Sequence, residues 1–275
     1  MVEIFDNIKK IYQFSAPCAE LADYIEFFSE SSVEATTRYT TNNTFTVKMF
    51  PSWTPTFWFN LGSPYHLVMG KDCHTIRPED DICLLRDSIV ERQNLPSDYL
   101  FSIKFFPGGL EAIFGINQAK FINKVIPLRT ILPRSLIQSV KKPGSFDHRM
   151  ALLQNFFLTQ YARQRQRDHY LHLLKDSIDL YESGNMRYNT SEIAEKMFVS
   201  SKTINRYFNN IVGINPKRYF SILRARTALT AYVASRDNFL PDAYGYYDMS
   251  HFYRESVRFT GKGIGHWPHN GASPA

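Results

Sequence analysis

The chain has 275 residues, with 32 basic against 26 acidic side chains and a formal net charge of +6 at pH 7. Its 44% hydrophobic and 15% aromatic content excludes a chain that is disordered throughout, and its length favours two domains over one. Because MVEIFDNIKK lacks the apolar run of a signal peptide and no stretch approaches the roughly 20 apolar residues of a membrane span, we expect a soluble, cytoplasmic protein without membrane contact.

The cysteines and the distribution of charge narrow the class further. Cys18, Cys73 and Cys83 are too scattered for a disulfide framework or a CxxC metal site, so we expect reduced thiols. Residues from Arg165 onward hold 15 basic and 10 acidic side chains, whereas the preceding part holds 17 and 16. This basic C-terminal part is compatible with a nucleic-acid partner, although a merely soluble basic domain stays open.

Residues 1–140 are predicted to form a β-rich domain. Short alternating or aromatic runs are separated by turn sequences such as PSWTP and FPGG. Such spacing is typical of a small barrel or sandwich. One amphipathic run, Leu21 to Phe28, is predicted to be a helix. The predicted strands are Thr44 to Phe50, Thr56 to Leu61, His66 to Gly70, Ile82 to Arg86 and Tyr99 to Phe106.

After KKPGS (Lys141 to Ser145) the hydrophobic period becomes helical. Apolar residues recur at intervals of three and four, at Phe146, Met150, Leu153, Phe157 and Tyr161. We predict a helical linker over residues 141–168, whose RQRQRD end is a solvated helix end or hinge, or alternatively a basic patch for nucleic acid. A helical domain over residues 169–264 and a flexible tail over residues 265–275 follow.

Residues 188–220 predict a helix-turn-helix. Asn189 or Thr190 can cap a first short helix, and Ser200 a second helix that ends at Gly213. Hydroxyl, amide and basic groups on an outward helix face are the groups that read base edges in a major groove, although a plain helical hairpin with a solvated face is the alternative. The outward residues of the second helix are Lys202, Thr203, Asn205 and Arg206.

A second unit of the same kind is predicted after a long helix. Asn215 is predicted to cap that helix, with Pro216 at its first position, and the helix runs from about Pro216 to Ser235, a rod of about 30 Å. Beyond it, GYYDMSHFYRESVRFTG predicts a probing helix that is capped by Asp248 or Ser250. The rod would place the two probing helices roughly one turn of B-DNA apart. The outward residues of the second probing helix are Met249, Ser250, His251 and Arg254.

These motifs resemble the DNA-binding domain of the AraC/XylS family of bacterial transcription regulators. The resemblance covers about Leu173 to Ile264 and rests on IAEKMFVSSKTINRYFNNIVGINPKRYFSILRARTAL and GYYDMSHFYRESVRFTG. It implies an α+β two-domain protein whose C-terminal domain has two helix-turn-helix units joined by a long helix. It also implies a sequence-specific regulator, for example an activator, which binds double-stranded promoter DNA and has RNA polymerase as partner. Neither enzymatic activity nor a cofactor is expected.

The second unit departs from the family pattern before Gly245. The stretch FLPDAYGYYD is short and contains Pro241, so the first helix of this unit is expected to be short or to begin at the proline. The resemblance therefore places the main base contacts on the first unit. Reading bases and holding phosphates both stay open as roles of the second unit.

The N-terminal half resembles, less specifically, the sensor-type domains that precede such DNA-binding domains, through LADYIEFF, PSWTPTFWFNLG and SIKFFPGGLEAIFG. The resemblance implies a cupin-like barrel that senses a small-molecule effector or mediates homodimer formation. Candidate pocket residues are Trp53, Phe57, Trp58, Phe59, Tyr65 and His66; alternatively, several of them belong to the core. No metal is expected, because His66, His74 and Glu79 lack the spacing of a metal site.

Two other functions stay open at the level of sequence. One is a cupin-like small-molecule-binding protein whose C-terminal domain binds DNA weakly or without specificity. The other is a metal-dependent cupin enzyme, against which the irregular spacing of His66, His74 and Glu79 argues.

Overall fold

The computed structural model describes residues 8–164, 169–261 and 263, and it has the predicted α+β organisation, with strands first and helices after. The strands are β1 (Tyr12–Ser15), β2 (Ile25–Ser31), β3 (Phe45–Met49), β4 (Pro55–Asn60), β5 (Tyr65–Met69), β6 (Asp72–Ile76), β7 (Ile82–Leu85), β8 (Val90–Asn94), β9 (Leu100–Phe105) and β10 (Val125–Pro127). The helices are α1 (Ile8–Ile11), α2 (Val33–Thr40), α3 (Gly109–Phe114), α4 (Arg134–Lys141), α5 (Phe146–Gln164), α6 (His169–Ser183), α7 (Thr190–Lys196), α8 (Ser201–Tyr207), α9 (Pro216–Ala234) and α10 (Met249–Thr260).

Two antiparallel sheets build the strand-rich part. Six strands form one sheet in the order β1-β2-β9-β4-β7-β10, and four form the other in the order β3-β8-β5-β6. Side chains of both sheets pack into one buried cluster, for example Leu67 and Val90 from the four-stranded sheet with Trp58 and Leu84 from the six-stranded sheet. The two sheets therefore enclose a core between them, as in a barrel or sandwich.

The other face of the six-stranded sheet is covered by helices. Phe57 of β4 and Phe105 of β9 have ring centroids 4.7 Å apart, and Phe114 of α3 and Phe157 of α5 complete this aromatic layer. Because β4 packs against side chains on both faces, all six of its residues are buried. The same buried cluster continues into the helical part through Leu171 and Leu174 of α6.

The five predicted strands correspond to β3, β4, β5, β7 and β9, but the predicted helix over Leu21 to Phe28 is wrong. This segment is a 3-10 turn at Ala19–Leu21 followed by strand β2. The pairing of β2 with β9 shifts register between Ile25 and Phe27. Because a bulge puts two residues opposite one, Ile25 and Phe28 are both buried at a spacing of three; together with Leu21, which is buried in the preceding turn, they imitate the spacing of a helix.

Several sequence-based predictions concern residues at the margins of the described chain. Arg165 to Asp168, the main part of the predicted RQRQRD hinge, and the predicted flexible tail over residues 265–275 lie outside the described residues.

All three cysteines are free thiols, with Cys83 buried. Within the described ranges, no helix is long and apolar enough to cross a membrane.

Candidate nucleic-acid interface

The first helix-turn-helix unit begins with a reciprocal cap. The side chain of Asn189 accepts hydrogen bonds from the backbone N–H groups of Ser191 and Glu192, at 2.8 and 3.1 Å. The Glu192 carboxylate in turn accepts from the backbone N–H of Asn189 at 2.7 Å. This capping box satisfies free donors at both ends of the first turn and fixes where α7 begins.

The turn between α7 and α8 contains an unusual aromatic residue. Phe198 has a φ of 54°, in the left-handed region that favours glycine, and its side chain is 96% exposed. Two residues later Ser200 caps α8, since its hydroxyl accepts from the N–H of Thr203 at 3.1 Å. The predicted cap at Ser200 is therefore confirmed.

Helix α8 has one buried face and one polar face. Ile204 is fully buried, while Lys202 and Arg206 are exposed. Thr203 and Asn205 are half-buried and bond locally, to the Ser200 hydroxyl at 2.9 Å and the Ser201 carbonyl at 2.8 Å.

These four predicted residues thus differ in how freely their groups can reach a ligand. The guanidinium of Arg206 lies over the Tyr207 ring, 5.0 Å from its centroid, and donates from Nη2 to the Tyr207 hydroxyl at 3.3 Å, so Arg206 rests against this ring at the surface. Lys202 and Arg206 present the charges of this face, and the other two residues are partly used to stabilise the helix.

The end of the first unit rests on the strand-rich part. Residues Phe208–Val212 form a π-helical turn that ends at Gly213, with a φ of 87°. A Cβ at Gly213 would lie 2.9 Å from the Cβ of Ala119, so only glycine allows this approach. Gln118 also donates from Nε2 to the Val212 carbonyl at 3.4 Å. A movement of Gln118 and Ala119 would therefore displace the end of the first unit directly.

Helix α9 connects the two units. Asn215 caps it by accepting from the N–H of Arg218 at 2.9 Å, as predicted. Its 19 residues correspond to about 28 Å. Phe220 stacks on Tyr181 of α6 with ring centroids 4.3 Å apart and meets Phe208 at 5.2 Å. These ring contacts fix the first unit on α9.

The second unit is built around a glycine and an aromatic cluster. Its first helix is the 3-10 turn Pro241–Tyr244, short as predicted, and Gly245 follows with a φ of 71°. A Cβ at Gly245 would lie 2.6 Å from the Met186 carbonyl oxygen. Phe252 of α10 is fully buried, with ring partners Tyr232, Phe239 and Tyr246.

An ion pair fastens α10 to α9. The guanidinium of Arg224 donates from Nε and Nη2 to the Glu255 carboxylate at 3.0 and 2.9 Å, and it lies 4.7 Å from the Tyr246 ring centroid. Burial acts to lower the pKa of Arg224, but the charge of Glu255, the nearby Tyr181 and Tyr246 and the hydrogen bond to Glu255 together outweigh it, and the pKa is raised. A bidentate pair of this kind fixes direction as well as distance.

The predicted residues of α10 do not all lie at the surface. Asp248 caps the helix by accepting from the N–H of His251 at 2.7 Å. Met249, Ser250 and Arg254 are exposed, whereas His251 is half-buried with its ring edge-on to Tyr246. Sequence reasoning missed two neighbours on the open side, Tyr247 at 92% and Tyr253 at 44% exposure. The spacing of four between Met249 and Tyr253 was the signal that could have identified the latter.

The candidate ligand residues of the strand-rich part occupy different surroundings. Phe57 and Phe59 are fully buried in the main core, which is the cluster between the six-stranded sheet and the helices. Trp58 and Tyr65 lie in the core between the two sheets. Trp53 is buried in the main core, while His66 is exposed and bonded to the Thr75 hydroxyl at 3.1 Å. That these six residues form one ligand pocket stays a prediction. In the described part of the chain, no group of three or more His, Cys, Asp and Glu residues could hold a metal ion.

A charged link joins the strand-rich part to α9. Glu26 of β2 is buried with Arg226 at 3.1 Å and Lys104 at 3.7 Å. Burial acts to raise the pKa of Glu26, yet the pKa is lowered to about 2, with the charges of Lys104 and Arg226 as the largest lowering influences. Glu26 and Arg226 also line a cavity of about 270 Å³ whose other walls include Phe106 from the strand-rich part and Tyr219 and Leu223 from α9.

Comparison with known proteins finds likeness at the level of structure. No family model and no curated protein matches the sequence. ToxT from Vibrio cholerae superposes with a TM-score of 0.48 and 11% identity, over 80% of this chain and 95% of its own. A ToxT structure from strain SCE256 with bound unsaturated fatty acid gives 0.44 and 12%, over 81% and 92%. The AraC-like transcriptional activator CuxR gives 0.32 and 10%, over 87% and 93%. An AraC-like transcription regulator is thus among the structural neighbours.

Proposed function

We propose that the protein is a sequence-specific DNA-binding transcription regulator of the AraC type. The observation that carries this proposal is the face of α8, on which Lys202 and Arg206 stand exposed opposite the buried Ile204, in a helix that follows a tight turn and a serine cap. A helix with this build, second in a helix-turn-helix, is suited to the major groove.

The chemistry of base reading follows from the side chains of this face. A guanidinium can donate two parallel hydrogen bonds to O6 and N7 of guanine, which is a role for Arg206. The amide of Asn205 is suited to adenine, and Lys202 to a phosphate or a guanine. Because α9 spans about 28 Å, α10 would meet the next turn of the same DNA face. We place the DNA-binding domain at residues 169–264, after a helical linker at 141–168.

Effector response is the second part of the proposal. The strand-rich part, residues 1–140, would sense a small molecule or form a homodimer and pass the change to the DNA-binding part. Two contacts support this route: the close approach of Ala119 to Gly213, and the pair Glu26–Arg226 beside the cavity that both parts line. A regulator of this kind would recruit or block RNA polymerase at the promoter.

Selection from a random duplex library tests the proposal. Full-length protein is incubated with the library at two salt concentrations, and bound duplexes are sequenced. We expect two enriched blocks about 10 base pairs apart, centre to centre, one for each unit. Binding without enrichment that is lost at moderate salt would contradict the proposal, because it would leave only phosphate attraction.

The variant Arg206→Ala assigns one block to α8. It should weaken binding to the selected duplex by about 1–3 kcal/mol and relax one base position. An equal loss on all sequences would instead make Arg206 a phosphate contact. Arg258→Ala, an exposed arginine near the end of α10, is the matched control for loss of one charge.

A further inference from the structure

The open face of α10 is aromatic and apolar where that of α8 is charged. Tyr247 is 92% exposed, Tyr253 44% and Met249 41%. Their side chains are not needed for the core of the second unit, since Phe252 fills it together with Tyr232 and Phe239. Three large side chains exposed within seven residues of the chain indicate a contact surface.

The position of these residues points to a contact that DNA would make. Met249 begins α10 and Tyr253 lies one turn later on the same face. Ser250 and Arg254 stand beside them, exposed. In a helix-turn-helix the first turns of the second helix are the part that reaches base edges.

The second unit carries a less positive charge than the first, although Arg254 and Arg258 are exposed and Glu255 is paired with Arg224. Residues 241–261 hold two cations and three carboxylates, whereas residues 189–213 of the first unit hold three cations and two carboxylates. One of the carboxylates, Asp248, is held by its cap to the His251 N–H. Counterion release should therefore contribute less at α10 than at α8, and van der Waals contact correspondingly more.

We propose that α10 recognises thymine-rich DNA, with Met249 and Tyr253 packed on thymine methyl groups and Tyr247 beside them. The C5-methyl of thymine is the apolar group that base edges present in the major groove. Exposed thioether and phenol side chains match it, and Arg254 supplies a polar contact at the border of the same block. This inference rests on the proposed function and specifies which bases the second unit reads.

Replacement of thymine by deoxyuridine provides the test. The substitution keeps base pairing and removes only the methyl group. Duplexes selected by the full-length protein are made with deoxyuridine in either block, the block of α8 being the one that Arg206→Ala relaxes. Each methyl contacted by α10 should be worth about fourfold in affinity, from about 0.8 kcal/mol per buried carbon group. The fold-change should be the same at two salt concentrations, since no phosphate contact changes.

The variants Tyr253→Ala and Met249→Ala complete a cycle with the deoxyuridine duplexes. Each should bind the thymine duplex more weakly and lose its sensitivity to deoxyuridine in the α10 block. The control Lys202→Ala on α8 should keep that sensitivity in full. Unfolding curves that match the wild type establish that the variants are folded.

Three results would overturn the inference. The first is a two-block motif in which deoxyuridine in the α10 block has no effect. The second is a single enriched block, which leaves the proposed function standing and removes base reading by α10. The third is unchanged DNA affinity of Tyr253→Ala with lower transcription in a reconstituted system, which would make the face a protein contact. No enrichment at all would instead contradict the proposed function.

Discussion

The two helix-turn-helix units sit on the same helix but are held by different interactions. The first unit is capped by Asn189 and Ser200 and packed by stacked rings at Phe220. The second unit has no side-chain cap on its first turn and depends on a buried ion pair, Arg224–Glu255. Both helices of the first unit thus begin with a local side-chain cap, whereas in the second unit only α10 has one and a charged pair ties it to α9.

Removal of Glu255 should have the largest effect on stability, because the second unit depends on its pair with Arg224. Glu255→Ala leaves the partly buried Arg224 without its charge partner, and we expect a loss of about 1.5–3 kcal/mol in the free energy of unfolding. Urea unfolding followed by circular dichroism measures the loss. In footprinting of the selected duplex, the block bound by α10 should lose its protection from cleavage at a higher protein concentration than the block bound by α8.

The paired change Arg224→Leu with Glu255→Leu is the control, since it removes both charges and keeps apolar volume. It should recover much of the stability that Glu255→Ala loses. Equal stability of wild type and Glu255→Ala would show that the second unit does not depend on the pair.

Acid should weaken the link between β2 and α9, because it protonates Glu26. Burial acts to raise the pKa of Glu26, but in the folded protein the pKa is lowered to about 2, with Lys104 and Arg226 as the largest lowering influences. An unfolded glutamate titrates near 4.3, so the stabilising contribution is complete above about pH 5 and is lost as pH falls toward 2. The free energy of unfolding between pH 6 and 3 measures this slope.

Glu26→Gln isolates the contribution of this one carboxylate to the pH dependence of stability. The variant should be less stable at pH 7, because two buried cations lose their charge partner, and its stability should depend less on pH below 5. The exposed pair supplies the matched control: Glu34→Gln removes a carboxylate bonded to Arg38 and should leave the slope unchanged. A Glu26→Gln slope equal to the wild-type slope would contradict the assignment.

The same difference between local and distant interactions explains what the sequence could predict. Caps at Ser200, Asn215 and Asp248 are formed within three or four residues, and each was predicted correctly or as one of two options. The bulge in β2 depends on pairing with β9, which lies more than 70 residues away, so the predicted helix there was wrong. Long-range pairing is not visible in local periodicity.

The candidate site shows the same limit. The outward face of α8 follows from helical spacing, and Lys202 and Arg206 lie where it places them. For α10 the spacing does not reveal that the ring of Tyr246 packs against His251, which is half-buried, or that Tyr253 is exposed. The Arg224–Glu255 pair, which joins residues 31 positions apart, could not be chosen among the charged residues in advance.

A smaller effect tests the cap of the first unit. Asn189→Ala removes the acceptor of two backbone N–H groups and one half of the capping box, which should cost about 1 kcal/mol. Urea unfolding measures it, with Thr190→Ala as the adjacent control that leaves the cap intact. If both substitutions cost the same, the stability of α7 would come from packing alone and the contrast between the units would weaken.

The smallest effect concerns the turn of the first unit. Phe198 holds a left-handed conformation that costs a residue with a side chain about 1 kcal/mol, while its ring is 96% exposed and stabilises little. Phe198→Gly relieves this strain but gives the unfolded chain more freedom, so we expect a net gain below about 1 kcal/mol in urea unfolding.

Phe198→Ala separates the ring from the backbone, since it keeps the strain and removes only an exposed side chain. Its stability should lie within about 0.5 kcal/mol of the wild type. The informative case is DNA binding: if both variants bound the selected duplex as tightly as the wild type, aromatic contact with DNA would be confined to α10. An equal loss in both variants would place an aromatic contact on the first unit as well, because only the ring is common to the two changes. The division between a charged first unit and an aromatic second unit would then no longer hold.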